Sequence, residues 1–218
     1  MEDVNWNDKK EVLKLVQQDG RDLKYASKEL RNDKDIVMAA VQRSGWALEF
    51  ASENLRNDKD VVLAAGWQKG YTFRFASKEL RNDREVVLNV VQQSGGALEF
   101  ASKKLRDDKD IVITAVRSRG YALQYASKKL QNDKDIVMTA IRQNGWALEF
   151  ASKKLRNNKN VVMAAVHQSG TALQFASKKL QNDKKIALAA LQSSSYSFKY
   201  VSPRLQQDQD VRKAAGLN

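Results

Sequence analysis

The stretch from Asn32 to Arg56 reads NDKDIVMAAVQRSGWALEFASENLR, and NDKDVVLAAGWQKGYTFRFASKELR follows it at once. The same 25-residue pattern returns along the chain and gives eight complete repeats and a partial ninth. Self-similarity at a fixed period of this size is typical of repeat proteins, in which each unit packs on the next. The complete repeats start at Asn7, Asn32, Asn57, Asn82, Asp107, Asn132, Asn157 and Asn182.

Each repeat, numbered from position 1 to position 25, contains two helical patterns. The Asn at position 1 or the Asp at position 2 can cap a helix by accepting hydrogen bonds from the amides of its first turn. Apolar residues at positions 5, 6, 9 and 10 then lie on one helical face. The Gly at position 14 is read as a left-handed helix stop. The sequence predicts helix A at about positions 2–13 and helix B at about positions 15–24, with Pro203 breaking the last helix B.

Stacking of these helix pairs follows from their length. Isolated helices this short are marginal in water, because each leaves an apolar face uncovered. The predicted fold is therefore an all-α solenoid of tandem two-helix repeats with polar caps at both ends. We expect residues 1–218 to form one domain, with an N-terminal cap at 1–6, eight repeats at 7–206 and a partial capping repeat at 207–218.

The ends of the array indicate which faces are buried. Position 5 is apolar in the later repeats but is Glu11 in the first, and positions 8 and 16 are Lys14 and Asp22 there. Positions 6 and 7 of the partial repeat are Arg212 and Lys213. Because terminal repeats need a polar outer face, we expect these five side chains to be exposed. Positions 5, 8 and 16 should face the preceding repeat, and positions 6 and 7 the following one.

Composition limits the class of protein. Hydrophobic residues make up 42% of the chain and charged residues 29%, while the formal net charge is +12. The absence of Cys excludes disulfides and thiolate metal sites. The N-terminal sequence lacks the pattern of a signal peptide, and no apolar run approaches the roughly 18 residues of a membrane span. We expect a cytoplasmic, monomeric chain without membrane insertion.

The repeat at Asn132–Arg156, NDKDIVMTAIRQNGWALEFASKKLR, resembles that of the Domain of Unknown Function 4116 family. The resemblance extends over residues 7–206 and implies a repeat module without an assigned biochemical activity. Repeat 8 departs from the pattern with Ser195 in place of Gly and with Pro203. The near identity of the repeats fits either recent duplication or deliberate design.

No residue pattern favours catalysis. The single histidine, His167, lies at a variable position without partners, so we interpret it as a surface residue. Paired acids such as Asp33 and Asp35 are typical of a helix first turn, which favours capping over metal binding. The Ser at position 21 of every repeat is either a modification site or a small residue whose hydroxyl bonds a carbonyl one turn back, and we favour the second. The aromatic at position 19 is assigned to the core. We therefore predict no catalytic residue, no metal site, no cofactor and no small-molecule substrate.

Two edges carry the candidate binding residues. Positions 11, 12, 13 and 15 vary most and are rich in Trp, Tyr and Arg, the residues that dominate binding hot spots. We call this the aromatic edge; the alternative is that position 15 only seals a helix end. Its candidate residues are Arg43, Trp46, Trp67, Tyr71, Arg117, Arg119, Tyr121, Arg142 and Trp146.

The opposite edge, which we call the basic corner, carries Lys and Arg at positions 3, 22, 23 and 25. Helix-end electrostatics explain much of it. However, repeats 1–4 have a net charge of +4 and repeats 5–8 one of +10, partly because Asn158, Asn160 and Lys185 replace acids. This excess is suited to an acidic protein or to phosphates. The candidate residues are Lys128, Lys129, Lys153, Lys154, Lys178 and Lys179.

The leading hypothesis is a non-enzymatic scaffold that binds a protein through the aromatic edge. The alternatives are an electrostatic nucleic-acid-binding module and a designed or purely structural array without a ligand. Phosphate binding should weaken steeply as salt rises, whereas binding through aromatic residues should not.

Overall fold

The regular structure of the chain is helical. The computed structural model describes residues 4–68 and 70–217, with only the backbone given for Trp67 and Gln68. Across these residues there is no β-strand, and the expected all-α repeat solenoid is confirmed. None of the described helices combines the length and the apolar character that crossing a bilayer requires.

Each complete repeat has three helical segments rather than the two that the sequence predicts. The first is a ten-residue α-helix at positions 3–12, and the second is a six-residue 3-10 helix at positions 14–19. The third is a short turn near positions 22–26, of the α or the 3-10 type. The α-helices are α1 (Lys9–Gln18), α2 (Lys34–Arg43), α3 (Glu53–Arg56), α4 (Lys59–Gln68), α5 (Arg84–Gln93), α6 (Lys109–Ser118), α7 (Lys134–Gln143), α8 (Lys153–Arg156), α9 (Lys159–Gln168), α10 (Lys178–Gln181), α11 (Lys184–Ser193) and α12 (Gln209–Ala214). The 3-10 helices are Gly20–Tyr25, Leu30–Asn32, Gly45–Phe50, Gly70–Phe75, Leu80–Asn82, Gly95–Phe100, Leu105–Asp107, Gly120–Tyr125, Leu130–Asn132, Gly145–Phe150, Gly170–Phe175, Ser195–Tyr200 and Leu205–Gln207.

The predicted helix B is wrong as a continuous α-helix. Positions 14, 17 and 20 are buried together, as Gly45, Leu48 and Ala51 show, and this three-residue spacing suits a 3-10 helix. Ala51 and Ser52 then have extended backbone, which ends the 3-10 helix. Pro203 follows this natural break and so interrupts no helix.

The Gly at position 14 is needed for close packing and not for a left-handed conformation. The only described residue with positive φ is Gly216. A Cβ on Gly45 would lie 2.4 Å from the carbonyl oxygen of Ala65 in the next repeat, and one on Gly145 would lie 2.6 Å from that of Ala165. Ser195 is tolerated at this position because it is exposed beside the partial ninth repeat. Glycine therefore lets the 3-10 helix of one repeat touch the α-helix of the next.

The Ser at position 21 links each repeat to the one before it. Its amide donates to the carbonyl of position 25 in the preceding repeat, at 2.8–3.0 Å from Ser27 to Ser202. Its hydroxyl accepts from the amide of position 24 and donates to the side chain at position 1, as in Ser52 to Asn32 Oδ1 at 2.6 Å. The predicted bond to a carbonyl one turn back is wrong, because the hydroxyl caps the following turn instead. The Asp at position 2, and not the Asn at position 1, caps the α-helix.

Most of the residues that the repeat pattern assigns to the core are buried. Positions 5, 6, 9, 10, 16 and 17 are buried in the inner repeats, and position 16 lies beside position 14 of the preceding repeat, as Thr72 does beside Gly45. The aromatic at position 19 is instead half-buried or exposed, so its assignment to the core is wrong. At the ends, Lys14 and Lys213 are exposed as expected, whereas Glu11, Asp22 and Arg212 are half-buried. Glu11 is covered because its carboxylate accepts a bond from the amide of Asn5.

The repeats divide into two compact units, residues 1–105 and 106–218. In the first unit, α1, α2, α4 and α5 pack in sequence, and the 3-10 helices lie against them. In the second unit, α6, α7, α9 and α11 pack in the same way, and α12 follows α11. Each unit is thus a stack in which consecutive repeats use one repeated interface.

Replacing Ile111 by Ala should lower the free energy of unfolding by about 2–5 kcal/mol, because it leaves a cavity at a fully buried side chain. Ile113→Ala is the matched control, since Ile113 lies on the same helix but is only half-buried. Urea unfolding followed by circular dichroism measures both. Equal losses would show that position 5 is not the buried interface position.

Gly145→Ala should destabilise the protein by about 1–3 kcal/mol, because the new methyl group would collide with the Ala165 carbonyl. Ser195→Ala places Ala at the same position of repeat 8, where the side chain is exposed, and should change stability by less than about 0.5 kcal/mol. Thermal unfolding of the two variants compares them directly. A stable Gly145→Ala protein would contradict the steric role of position 14.

Candidate functional site: the aromatic edge and the basic corner

The aromatic edge is formed by the C-terminal ends of the ten-residue α-helices and the starts of the 3-10 helices. In the second unit, a shallow groove is lined there by Tyr121, Gln143, Asn144, Trp146 and Ser169, among others. These residues occupy positions 12, 13 and 15 of successive repeats. The structure therefore brings the predicted positions together within the unit. A similar groove in the first unit is lined by Arg21, Arg43, Trp46 and neighbouring residues.

Four of the five aromatics at position 15 pack edge-to-face on the aromatic at position 19 of the next repeat. The ring centroids of Trp46 and Phe75 are 5.8 Å apart, and those of Tyr71 and Phe100 are 6.3 Å apart. Tyr121 with Phe150 and Trp146 with Phe175 are both at 5.8 Å. Such pairs stabilise the contact between repeats, a packing role that differs from the helix-end contact considered as the alternative for position 15.

The rings of the aromatic edge also remain partly accessible. Tyr71 is 42% exposed and Trp146 is 38% exposed, whereas Trp46 and Tyr121 are half-buried. The Trp146 indole donates from Nε1 to Ser169 Oγ at 3.0 Å and to Thr171 Oγ1 at 2.9 Å, which fixes the ring orientation. The side chain of Trp67, also predicted for this edge, lies outside the described residues.

The four arginines predicted for this edge are all exposed. Arg43 Nε donates to the Gln18 carbonyl at 2.9 Å and so caps the end of α1. Arg142 donates to Thr139 Oγ1 on its own helix. Arg117 lies in the last turn of α6, and Arg119 follows that helix as its C-cap residue. The edge thus carries guanidinium groups beside aromatic pairs.

At the basic corner, the six predicted lysines are all exposed. Four of them lie in α8 and α10, whose N-caps are Ser152 and Ser177, and the other two lie in the turn before the 3-10 helix Leu130–Asn132. The six lysines are therefore not in the last turn of a long helix, as the sequence predicted. Lys128 and Lys178 donate to Gln131 and Gln181, with Nζ to Oε1 distances of 3.0 and 3.1 Å. The six residues are Lys128, Lys129, Lys153, Lys154, Lys178 and Lys179.

Position 25 is either Gln or Arg, and the two side chains differ in their hydrogen bonds. Where it is Gln, as at Gln131 and Gln181, the amide nitrogen donates to two carbonyls of the repeat's own 3-10 helix. Where it is Arg, the Nε atom is buried and has no hydrogen-bond partner among the described residues. These arginines are Arg31, Arg56, Arg81, Arg106 and Arg156.

A ladder of ion pairs, which we call the lysine ladder, runs along the N-terminal ends of the α-helices in each unit. The Lys at position 3 reaches the Asp at position 2 of the next repeat, for example from Lys34 Nζ to Asp58 Oδ2 at 2.8 Å and from Lys109 to Asp133 at 2.7 Å. The acid at position 4 joins some rungs, as Asp60 does at 2.9 Å. The Asp at position 2 therefore both caps a helix and holds a lysine. The sequence interpretation recognised only the cap.

The lysine ladder lowers the pKa of Asp83 and Asp133, both at position 2. The Lys109 ammonium donates a hydrogen bond to Asp133 and holds the pKa of that carboxyl below its ordinary value, against the opposing effect of partial burial. Lys59 has the same effect on the pKa of Asp83. A carboxylate whose pKa is lowered by folding stabilises the native state above its unfolded pKa.

The residues considered for chemistry are His167 and the carboxylates at positions 2 and 4. His167 is exposed on α9. Among the described residues, no group of three or more His, Cys, Asp and Glu side chains is placed to hold a metal ion. The carboxylates at positions 2 and 4 instead bind lysines and helix amides.

Comparison with known proteins identified one family. A model described as "Domain of unknown function (DUF4116)" matches residues 8–56, 38–66, 68–106, 108–156 and 158–206. No curated protein and no solved structure matches the chain. The matched segments follow the repeat pattern through nearly all of the complete repeats.

Asp133→Asn should reduce stability at neutral pH and have less effect in acid. Asn still caps a helix at this position, as Asn158 does, so the change removes mainly the ion pair with Lys109. This contribution is present above the ordinary Asp pKa of about 3.9 and is lost as pH falls through the lowered folded pKa. Urea unfolding at about pH 6 and about pH 2.5 should show the larger difference from the unmodified protein at the higher pH.

Glu149→Gln is the control for this pH effect, because Glu149 is exposed and makes no ion pair among the described residues. It should show no pH-dependent difference in stability. An Asp133→Asn difference of equal size at both pH values would contradict the ion-pair assignment.

Proposed function

Because the chain belongs to the DUF4116 repeat family, we propose that it is a non-enzymatic scaffold that binds a protein partner through the aromatic edge. The constant positions of the repeat build the frame, as the buried core and the position-21 hydrogen bonds indicate. The variable positions 11, 12, 13 and 15 lie together on the surface of that frame. A rigid frame that displays variable side chains is the general basis of recognition by solenoid repeats.

The observation that carries the proposal is the pair of adjacent aromatic contacts in the second unit. Tyr121 with Phe150, and Trp146 with Phe175, place half-exposed rings in consecutive repeats. Because these rings are already held by packing, they lose little conformational entropy when a partner covers them. Exposed Arg117 and Arg142 on the neighbouring helix ends add charged hydrogen-bond donors. Trp, Tyr and Arg together are typical of protein-binding hot spots.

A second candidate function, nucleic-acid binding, is favoured by the charge of the second unit. Residues 157–181 contain three lysines and no acidic residue, and the six lysines of the basic corner are exposed. Such a surface attracts phosphates, and affinity would then fall steeply with salt. The chain lacks an established nucleic-acid-binding motif, so protein binding remains the primary proposal.

The experiment is affinity capture from cell lysate with and without nuclease, followed by measurement of affinity for the protein captured. The double variant Tyr121→Ala/Trp146→Ala should weaken binding about tenfold, which corresponds to about 1.4 kcal/mol. The matched control is Phe150→Ala/Phe175→Ala, which breaks the same two aromatic pairs but leaves the position-15 side chains in place.

The two variants separate recognition from packing. Protein binding through the aromatic edge requires that the capture survives nuclease and that the Tyr121/Trp146 variant loses more affinity than the control at comparable thermal stability. Equal losses would assign the aromatic residues to packing alone. If nuclease treatment abolishes capture of the partner, nucleic-acid binding becomes the favoured function.

A further inference from the structure

At every rung of the lysine ladder that forms an ion pair, the lysine Nζ lies close to Oδ2 of the position-2 Asp in the next repeat. In the second unit, Lys159 Nζ lies 2.5 Å from Asp183 Oδ2, and Lys184 lies 2.9 Å from Asp208 and 2.6 Å from Asp210. In the first unit, Lys9 and Lys34 make the same contacts with the acids of the next repeat. Each of these position-3 lysines is therefore matched by at least one carboxylate of its neighbour.

The ladder is open at Lys134. The two places where its carboxylate partners would stand hold Asn158 and Asn160. Among the described residues, Lys134 makes no ion pair, and its side chain is exposed. Lys134 thus occupies a ladder position in the second unit, but the next repeat has Asn side chains where the other rungs have carboxylates.

Asn158 at the open rung still caps the helix that follows. Asn158 Oδ1 accepts from the amides of Asn160 and Val161 at 3.1 and 3.2 Å. Asp133 accepts from the equivalent amides of its own helix at 3.0 and 3.1 Å. Asn therefore caps α9 as Asp caps α7, and helix formation does not account for the missing charge.

The surroundings of the open rung are also unusually basic. Lys159 and Lys185 lie at positions 3 and 4 of the next two repeats, and Lys185 replaces the acid that completes other rungs. Both are exposed, as are Lys153 and Lys154 just before α9. Lys159 is itself paired with Asp183, and Asp133 and Asp135 flank Lys134, so the added positive charge comes from Lys153, Lys154 and Lys185.

We propose that the open rung at Lys134 is a docking site for an acidic polypeptide segment. The partner's carboxylates pair with Lys134 Nζ beside the Asn158 and Asn160 side chains, which stand where Asp58 and Asp60 stand beside Lys34. The intact rungs show the ligand that this arrangement accepts, which is one or two carboxylate oxygens at ordinary ion-pair distance from a lysine Nζ. This favours an Asp- or Glu-rich segment over a nucleic acid.

This site goes beyond the proposed function, because it lies at the other end of the α-helices from the aromatic edge. Positions 3 and 12 of one ten-residue α-helix are about 13 Å apart along its axis. Electrostatic docking at exposed lysines contributes mainly to the rate and selectivity of association. The second unit thereby carries two separate surfaces of different chemistry.

The test measures binding of a fluorescein-labelled oligoglutamate peptide of about ten residues by fluorescence anisotropy at low ionic strength, where surface ion pairs are least screened. The variant Asn158→Asp/Asn160→Asp closes the rung and should weaken binding at least about threefold, the scale of one or two surface ion pairs. The matched control, Asn32→Asp/Asn57→Asp, adds the same charge at position 1, where repeat 5 has Asp107, and should leave binding nearly unchanged.

A converse variant removes the acids from an intact rung. Asp58→Asn/Asp60→Asn opens the equivalent rung beside Lys34 in the first unit and should strengthen oligoglutamate binding. Circular dichroism checks that helix content is retained in every variant. Equal effects of the closing variant and its control would overturn the proposal, and so would the failure of the opened rung to strengthen binding.

A parallel titration uses an oligothymidylate of the same charge. If it binds more tightly than oligoglutamate and responds equally to closure of the rung, the site is a phosphate site and the proposal is wrong. Since no residue of the aromatic edge is changed, failure here leaves the proposed function untouched.

Discussion

The architecture depends on how closely one repeat can approach the next. At position 14 the backbone of a 3-10 helix touches the position-9 carbonyl of the next α-helix, and the space there admits no Cβ at Gly45 or Gly145. Once this separation is set, the other contacts between repeats fall within reach. The position-21 amide meets a carbonyl of the preceding repeat, the position-15 ring meets the next position-19 ring, and the position-3 lysine meets the next aspartate. One steric constraint thus allows these interactions to recur from repeat to repeat, wherever the side chains for them are present.

Much of the fold could be predicted from the sequence, because period and polarity depend only on the order of residues. The repeat length, the all-α class, the α-helix caps and the burial of positions 5 and 16 all follow from pattern. The 3-10 segment could not be predicted, since over six residues a period of 3.0 is hard to tell from one of 3.6. Gly45 and Ser52 were misjudged for a different reason. Their roles are set by partners in neighbouring repeats or some twenty residues away, and local propensity does not contain such partners.

The candidate site, like the fold, could be predicted only in part from the sequence. The predicted edge positions do gather within each unit, because positions 12, 13 and 15 lie at one end of each α-helix. What the sequence could not provide was the second role of these residues. The Trp146 ring packs on Phe175, and Arg43 caps α1, so variation at these positions is limited by stability as well as by recognition. The lysine ladder could not be predicted from the sequence, because each Lys pairs with an Asp of the next repeat and not with the Asp beside it. The two partners become neighbours only when the repeats stack.

The position-21 hydrogen bond has a consequence for how such a chain folds. It joins main-chain atoms, and its partners look alike in every repeat, so Ser152 would find an equivalent carbonyl on any repeat that reached it. Repeats that are not sequence neighbours, including those of another molecule, can therefore dock through native-like bonds, which is the route to domain swapping and misassembly in repeat proteins. Correct order then comes from the short tether, since adjacent repeats collide far more often than distant ones. Differences among repeats, such as Gln131 against Arg156 at position 25, give the chain a means to distinguish one neighbour from another.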